Sequence, residues 1–198
     1  MDTLIAQKRD LNKKAKVLRR EGYVVGILYG RHLEESVPVM MTKSDVAQIL
    51  KDKTKGSQIM LDVEGQQYDV LIKELDFNPL KGSIDAMDFQ ALVKGEKVHS
   101  VAEVVLLHHE KVVEGIIEEK LQEISYKATP EALVDKIEID VSEMRVGDEV
   151  KVKDLDIAKK PGVVLVTDPE EVVVMITEAH LAKEADDEEA DAEETPAE

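Results

Sequence analysis

The sequence predicts a mainly β (α+β) protein. An N-terminal β-rich unit with short helices, a β-barrel or a strongly curved sheet, is expected over residues 1–94, a second β-rich domain over 95–180, and a disordered acidic tail over 181–198. Three observations predict this. Hydrophobic residues make up 43% of the chain but aromatics only 3%, with no Trp. Cores must therefore be built from Val, Ile and Leu, which favour strands where they alternate with polar residues. Turn residues bound the apolar runs, as at Glu64-Gly65, at 78–82 and at Val146-Gly147-Asp148. Charge is split unevenly as well: residues 1–95 hold 15 basic and 14 acidic side chains, and residues 96–198 hold 11 and 29. Such asymmetry points to two units with different surfaces.

Residues 3–6 form a short first strand. Leu11, Ala15 and Leu18 recur at helical spacing, and Gly22 follows as a stop, so an amphipathic helix is expected there. Residues 24–30 are a buried strand ending at a glycine, and 37–41 are a second. Thr42, Ser44 and Asp45 offer N-cap chemistry for a helix whose apolar face is Val46, Ile49 and Leu50. Residues 58–63 and 67–75 form a hairpin around Glu64-Gly65. After the turn at 78–82, residues 84–92 close the first unit, and Lys94-Gly95-Glu96 is the boundary. In the second unit, strands are expected at 98–107, 122–128, 136–141, 163–167 and 171–177, with a helical turn opening at Pro130. From Glu184 to Glu198, nine of fifteen residues are acidic, too few apolar groups to offset the entropy of ordering.

The chemistry-bearing motifs are sparse. Cys is absent, which removes disulfides and thiolate catalysis and fits a reducing compartment. No apolar signal region and no stretch of 18 apolar residues is present, so neither secretion nor a membrane span is expected. There is no phosphate-binding Gly-rich loop, no GxGxxG and no GxSxG. His108 and His109, read as strand neighbours, would face opposite ways and not share a metal. Asp85 and Asp88 would likewise diverge rather than form an acid–base pair. Glu118-Glu119-Lys120 and residues 149–156 are solvated faces without Ca²⁺-loop spacing. No catalytic residue, metal or cofactor is expected.

The local inversion of charge is more informative. Residues 1–20 hold seven basic side chains and two acidic ones, within a chain of net charge −17. On a helical wheel Arg9, Lys13, Lys16 and Arg20 fall within roughly 60° of one another. Lys14 and Arg19 flank that stripe, while Leu11, Ala15 and Leu18 gather opposite. A basic stripe docked on a β-domain suits a polyanion such as RNA, whose phosphates basic side chains neutralise. Tyr29, at a strand end, is either a stacking ring for a base or ribose, or a partly buried core residue.

These residues carry a likeness. Leu18-Arg19-Arg20-Glu21-Gly22 followed by Ile27-Leu28-Tyr29-Gly30 resembles the signature of the bacterial large-subunit ribosomal protein L-twenty-five family, in its long two-domain form, also called general stress protein CTC. Met87-Asp88-Phe89 resembles the end of the family's His-Val-Asp-Phe motif. Residues 139–142, Val146-Gly147-Asp148 and Asp154-Leu155 resemble its C-terminal domain. The resemblance implies a 5S rRNA-binding β-barrel that contacts an irregular helical region across the minor groove, which is wide and accessible in A-form RNA. It implies Arg9, Arg19 and Arg20 as phosphate and groove contacts, and Tyr29 and Asp88 as contact positions. Lys13, Lys14 and Lys16 join them on the charge argument alone. Three positions depart from the pattern: Ala86 stands for the motif's His, Val25 for a Pro, and Glu118-Glu119 for a Gly-Gly pair. The expected function is therefore a non-enzymatic, cytoplasmic constituent of the large ribosomal subunit. Its partners are 5S rRNA and neighbouring ribosomal proteins, without membrane or small-molecule substrate. The alternative is a stress-response module whose acidic C-terminal domain recruits a protein partner.

Overall fold

The structure is a computed structural model and describes residues 2–112 and 115–178. Each strand turns apolar side chains inward, by alternation in β4 and by longer apolar runs in β2 and β5, and six such strands curl around a single core. They are β1 (Thr3–Lys8), β2 (Tyr23–Tyr29), β3 (Val37–Thr42), β4 (Gln58–Val63), β5 (Gln66–Asn78) and β6 (Ser83–Ala91). They close in the order β1-β3-β2-β6-β5-β4, sealed by parallel pairing of β1 with β4. Leu4, Val24, Leu28, Val39, Ile59, Leu61, Val70, Met87 and Phe89 fill the interior. Closure removes the open edges that a flat sheet would expose. Helix α2 (Lys43–Ile49) adds Val46 to that core, and its start is capped by Thr42 Oγ1, which accepts from the Asp45 N–H at 3.2 Å. The β4–β5 hairpin turns as expected at Glu64 and Gly65, both at positive φ (54° and 91°).

Two bulges break the β5–β6 ladder. Ile72 faces Phe89 while Glu74 faces Asp88, so Lys73 is an extra residue on β5. Asp76 faces Ala86 while Phe77 faces Ile84, so Asp85 is extra on β6. Both bulged residues acquire special partners. Lys73 Nζ donates to the His99 carbonyl at 2.7 Å, and the Asp85 carbonyl accepts from Arg19 Nε at 2.9 Å.

The second half comprises β7 (Val98–Leu107), β8 (Ile116–Glu119), β9 (Glu123–Ala128), β10 (Lys136–Asp140), β11 (Glu149–Lys151), β12 (Val164–Leu165) and β13 (Val172–Thr177). They form the sheets β10-β7-β9-β12 and β11-β13-β8 around a core of Ile124, Tyr126, Val141, Val152, Val173 and Val174. The short helix α3 (Asp156–Lys159) contributes Ile157. Ion pairs Lys53–Asp135 and Lys55–Glu123, each 2.8 Å, join this half to the barrel. At Gly56 (φ +87°) a Cβ would lie 1.9 Å from the Val101 carbonyl, so only glycine lets the backbones approach there.

Several expectations are corrected. The first helix, α1, spans only Ala15–Arg20. Asp10 Oδ1 accepts from both the backbone and side-chain N–H of Asn12 at 2.9 Å, and Lys13 N–H binds the Asp10 carbonyl. These local bonds hold residues 10–13 in a turn and compete with helix formation. Leu11 is 72% exposed and docks nothing. Arg9 and Lys13 therefore share no helix with Lys16 and Arg20, and the single-wheel stripe does not exist. Strands β8 and β11 were not expected: they are short, charged segments that pair on either side of β13. The strand expected at 163–167 shrinks to two residues, because Val166 and Thr167 N–H both turn to the Ser125 carbonyl. His108 is not a strand residue; it adopts φ 57° at the start of a 3₁₀ turn, with Nδ1 3.1 Å from Asp140 Oδ2. Among the described residues no group of three metal-ligating side chains is assembled. The tail expected at 181–198 lies outside the described residues.

Candidate nucleic-acid interface

The strand order β1-β3-β2-β6-β5 lays a row of residues across the outer wall of the barrel. The Arg9 N–H donates to the Pro38 carbonyl at 2.9 Å. Pro38 is the register partner of Ile27, whose N–H donates to Asp88 Oδ1 at 3.0 Å. Asp88 in turn faces Glu74 on β5. Ile27, 45% exposed, and Tyr29 point outward from β2, while Val24, Gly26 and Leu28 are buried. The fold thus gathers Arg9, Tyr29 and Asp88 on one wall, although Tyr29 and Asp88 lie 59 positions apart in the sequence.

Helix α1 lies over β2. Its Leu18 is 2% exposed, and Val25 is 5% exposed although it has the outward register of Ile27. Both stand outside the barrel-core cluster, so a small apolar contact fixes α1 to the outer wall. This brings Arg19 to the β6 bulge. With Nε held by the Asp85 carbonyl, the guanidinium is oriented while its two terminal amines remain available. Lys13, Lys14, Lys16 and Arg20 are exposed on the loop and helix beside it. Arg9 is half-buried; Nη2 donates to the Lys13 carbonyl at 3.4 Å, and the enclosed Nε has no partner among the described residues. Among the described residues, no carboxylate forms an ion pair with any of Arg9, Lys13, Lys14, Lys16, Arg19 or Arg20. Unpaired cations in so acidic a chain retain their full attraction for a polyanion.

The polar centre of the wall has the opposite character. Burial, reinforced by the charge of Glu74 and opposed by the bond from the Ile27 N–H, pushes the Asp88 carboxyl above its ordinary range. Burial first, and then the charges of Asp88 and Glu74, raise the Tyr29 phenol. Tyr29 is half-buried, so its ring serves the wall and is still open to a ligand. Ala86 faces Asp76 on one side and Val25 on the other, so a methyl group stands where the resemblance implies an imidazole. Asp85 and Asp88 bind different partners, Asn78 Nδ2 and Ile27 N–H, and do not act on each other.

The raised Asp88 carboxyl has a consequence for stability. Its folded-state pKa exceeds the unfolded one, so the folded state holds the proton more tightly, and stability falls as pH rises between the two values. At neutral pH the whole penalty is present. Asp88→Asn retains an acceptor for the Ile27 N–H and removes the charge. It is expected to raise stability at pH 7 by a few tenths of a kcal/mol, the effect being small because solvent screens this half-exposed group. Urea melts of the two proteins at pH 7 and pH 4 check this; the gain shrinks at the lower pH.

Sequence reasoning passed over Glu74. Nothing in its local pattern marks it, because the Lys73 bulge shifts which β5 residues share a face with Asp88.

Comparison with known proteins bears on the same regions. Residues 4–89 match the model of the Ribosomal L25p family, and residues 97–180 match the model described as ribosomal protein TL5, C-terminal domain. Curated relatives bearing the description "Large ribosomal subunit protein bL25" include one from Caldanaerobacter subterraneus subsp. tengcongensis, 32% identical with 96% of each chain covered. A second, from Carboxydothermus hydrogenoformans, is 35% identical over 81% of this chain and 80% of its own. A third, from Bacillus velezensis, is 31% identical over 100% of this chain and 96% of its own.

Proposed function

The chain belongs to the Ribosomal L25p family of large-subunit ribosomal proteins, and from that premise we propose that its barrel, within residues 1–94, binds 5S rRNA through the wall formed by α1, β2 and β6. The family is structural rather than enzymatic, and as a ribosomal component the protein is cytoplasmic. The observation that supports the 5S rRNA reading is that six cations forming no ion pair among the described residues lie on or beside the outer wall that carries Tyr29 and Asp88. Lys13, Lys14, Lys16 and Arg20 neutralise phosphates on the flank of the groove. Arg9 and Arg19, held by backbone carbonyls, set the register. Tyr29 offers a ring to a ribose or base, and the second oxygen of Asp88 accepts from a base amino group or a 2′-OH. Residues 95–180 form the second unit, which faces other ribosomal neighbours. The alternative stress-response module is not favoured by family membership.

Titration of labelled 5S rRNA with the full chain at a series of salt concentrations tests this. With about four phosphates neutralised, log K is expected to fall against log salt with a slope of about −3 to −4. A flat slope, or no binding at low salt, refutes the reading.

A further inference from the structure

We propose that Glu74 and Asp88 act as a paired hydrogen-bond acceptor that selects guanine amino groups in the RNA minor groove, with Glu74 a specificity-determining residue in its own right. The inference rests on the RNA-binding reading of this wall and goes beyond it, because Glu74 belongs to none of the contact positions that the family resemblance implies.

The two residues are direct register partners on neighbouring antiparallel strands. Directly opposed residues hold their Cβ atoms about 4.5–5.5 Å apart. Their closeness is felt electrostatically too: the Glu74 charge acts on both Asp88 and Tyr29. One oxygen of Asp88 is engaged by the Ile27 N–H, and the other has no partner among the described residues. Glu74 is exposed and, among the described residues, accepts no side-chain hydrogen bond and joins no ion pair. Two like charges placed side by side on a wall flanked by cations are unfavourable for the free protein. They are equally unfavourable for a face that meets phosphates only.

Chemistry supplies the reason to have them. An ionised carboxylate only accepts. In a minor groove the base edges present acceptors at A·U pairs, and guanine alone adds an exocyclic amino donor. The 2′-OH is the other donor available on RNA. A pair of acceptors at the centre of the wall, with cations at its margin, therefore aligns the wall with the groove floor instead of a phosphate ridge. Within that floor it favours positions bearing guanine. Ala86, adjacent on the same outward face, leaves room for a base edge to approach the pair.

The test exploits a difference of sign. On charge alone, removing a carboxylate from a protein that binds a polyanion tightens binding. The acceptor pair predicts the reverse. Affinities of the full chain and its Glu74→Ala and Glu74→Gln variants are measured for 5S rRNA and for 5S rRNA carrying inosine in place of single guanosines within the protected footprint. Inosine removes the amino group and leaves the phosphates and riboses unchanged. Glu74→Ala is expected to weaken binding about five- to tenfold with a melting temperature no lower than that of the wild type, since a like charge beside Asp88 is removed. Inosine at one or more positions is expected to weaken the wild type by a similar factor while leaving the Glu74→Ala variant nearly unaffected. Equal or tighter binding by both variants, or inosine penalties that persist undiminished in Glu74→Ala, overturns the acceptor pair while leaving 5S rRNA binding intact. Failure of the wild type to bind 5S rRNA overturns the functional reading and the pair with it.

Discussion

Replacing Gly26 with alanine is expected to destabilise the barrel by about 3 kcal/mol or more. Gly26 is buried in β2, and a Cβ built on it would lie 1.9 Å from the backbone carbonyl oxygen of Met87 and 3.0 Å from its carbon. The obstacle is main chain, which cannot swing aside as the end of a flexible side chain can. Relief requires β2 and β6 to separate at the point where their ladder is already interrupted. The parallel register runs Val25 to Ala86 and resumes at Leu28 to Phe89, and between them the Ile27 N–H is satisfied by the Asp88 side chain. Pushing β6 outward therefore breaks that bond as well and disturbs the wall that carries Tyr29 and Asp88. In a chain of this size about 3 kcal/mol corresponds to a fall in Tm of roughly 6–12 °C. Thermal melts followed by circular dichroism measure it. A variant melting within a degree or two of the wild type would show that β2 and β6 are not held this closely.

Arg19→Ala is expected to weaken 5S rRNA binding by about 2 kcal/mol, roughly thirtyfold, with the salt slope reduced by about 1. Arg19 is distinguished from its exposed neighbours by preorganisation. Its Nε is already bonded to the Asp85 carbonyl, which the β6 bulge turns away from the ladder, so little side-chain freedom is lost when the terminal amines meet RNA. Arg19→Lys retains the charge but not the planar fork and should recover only part of the loss. Exposed Lys16→Ala serves as the comparison: an unanchored phosphate contact lowers affinity by less, on the order of a few tenths to 1 kcal/mol. Fluorescence anisotropy with 5S rRNA at fixed salt distinguishes these outcomes, and equal effects at positions 16 and 19 would show that the bulge contact confers no advantage.

Much of the architecture was legible because it is local. Alternation in 58–63 and 67–75 with Glu64-Gly65 between them leaves few options besides a hairpin, and Thr42 with Asp45 marks a helix start without reference to anything distant. Charge was legible in the same way, since seven basic residues in twenty stand out against a net charge of −17. The errors arose where local pattern competed with side-chain hydrogen bonds or with pairing. Apolar spacing at Leu11, Ala15 and Leu18 suggested one helix, but Asp10 and Asn12 form a turn first. Residues 116–119 and 149–151 carry little strand signal of their own and become strands because β13 offers both its edges.

Composition and pattern establish that the chain is β-rich, aromatic-poor and free of cysteine, and that its basic end opposes an acidic remainder. The motifs it carries were sufficient to indicate the family. The strand order around the barrel, the bulges at Lys73 and Asp85 that reset the β5–β6 register, and the meeting of Arg9, Tyr29, Glu74 and Asp88 on one wall came from the folded structure alone. The physical reason is that periodicity is set by each residue's immediate neighbours along the chain. Register across strands depends on which distant segments pair, and a single inserted residue changes it.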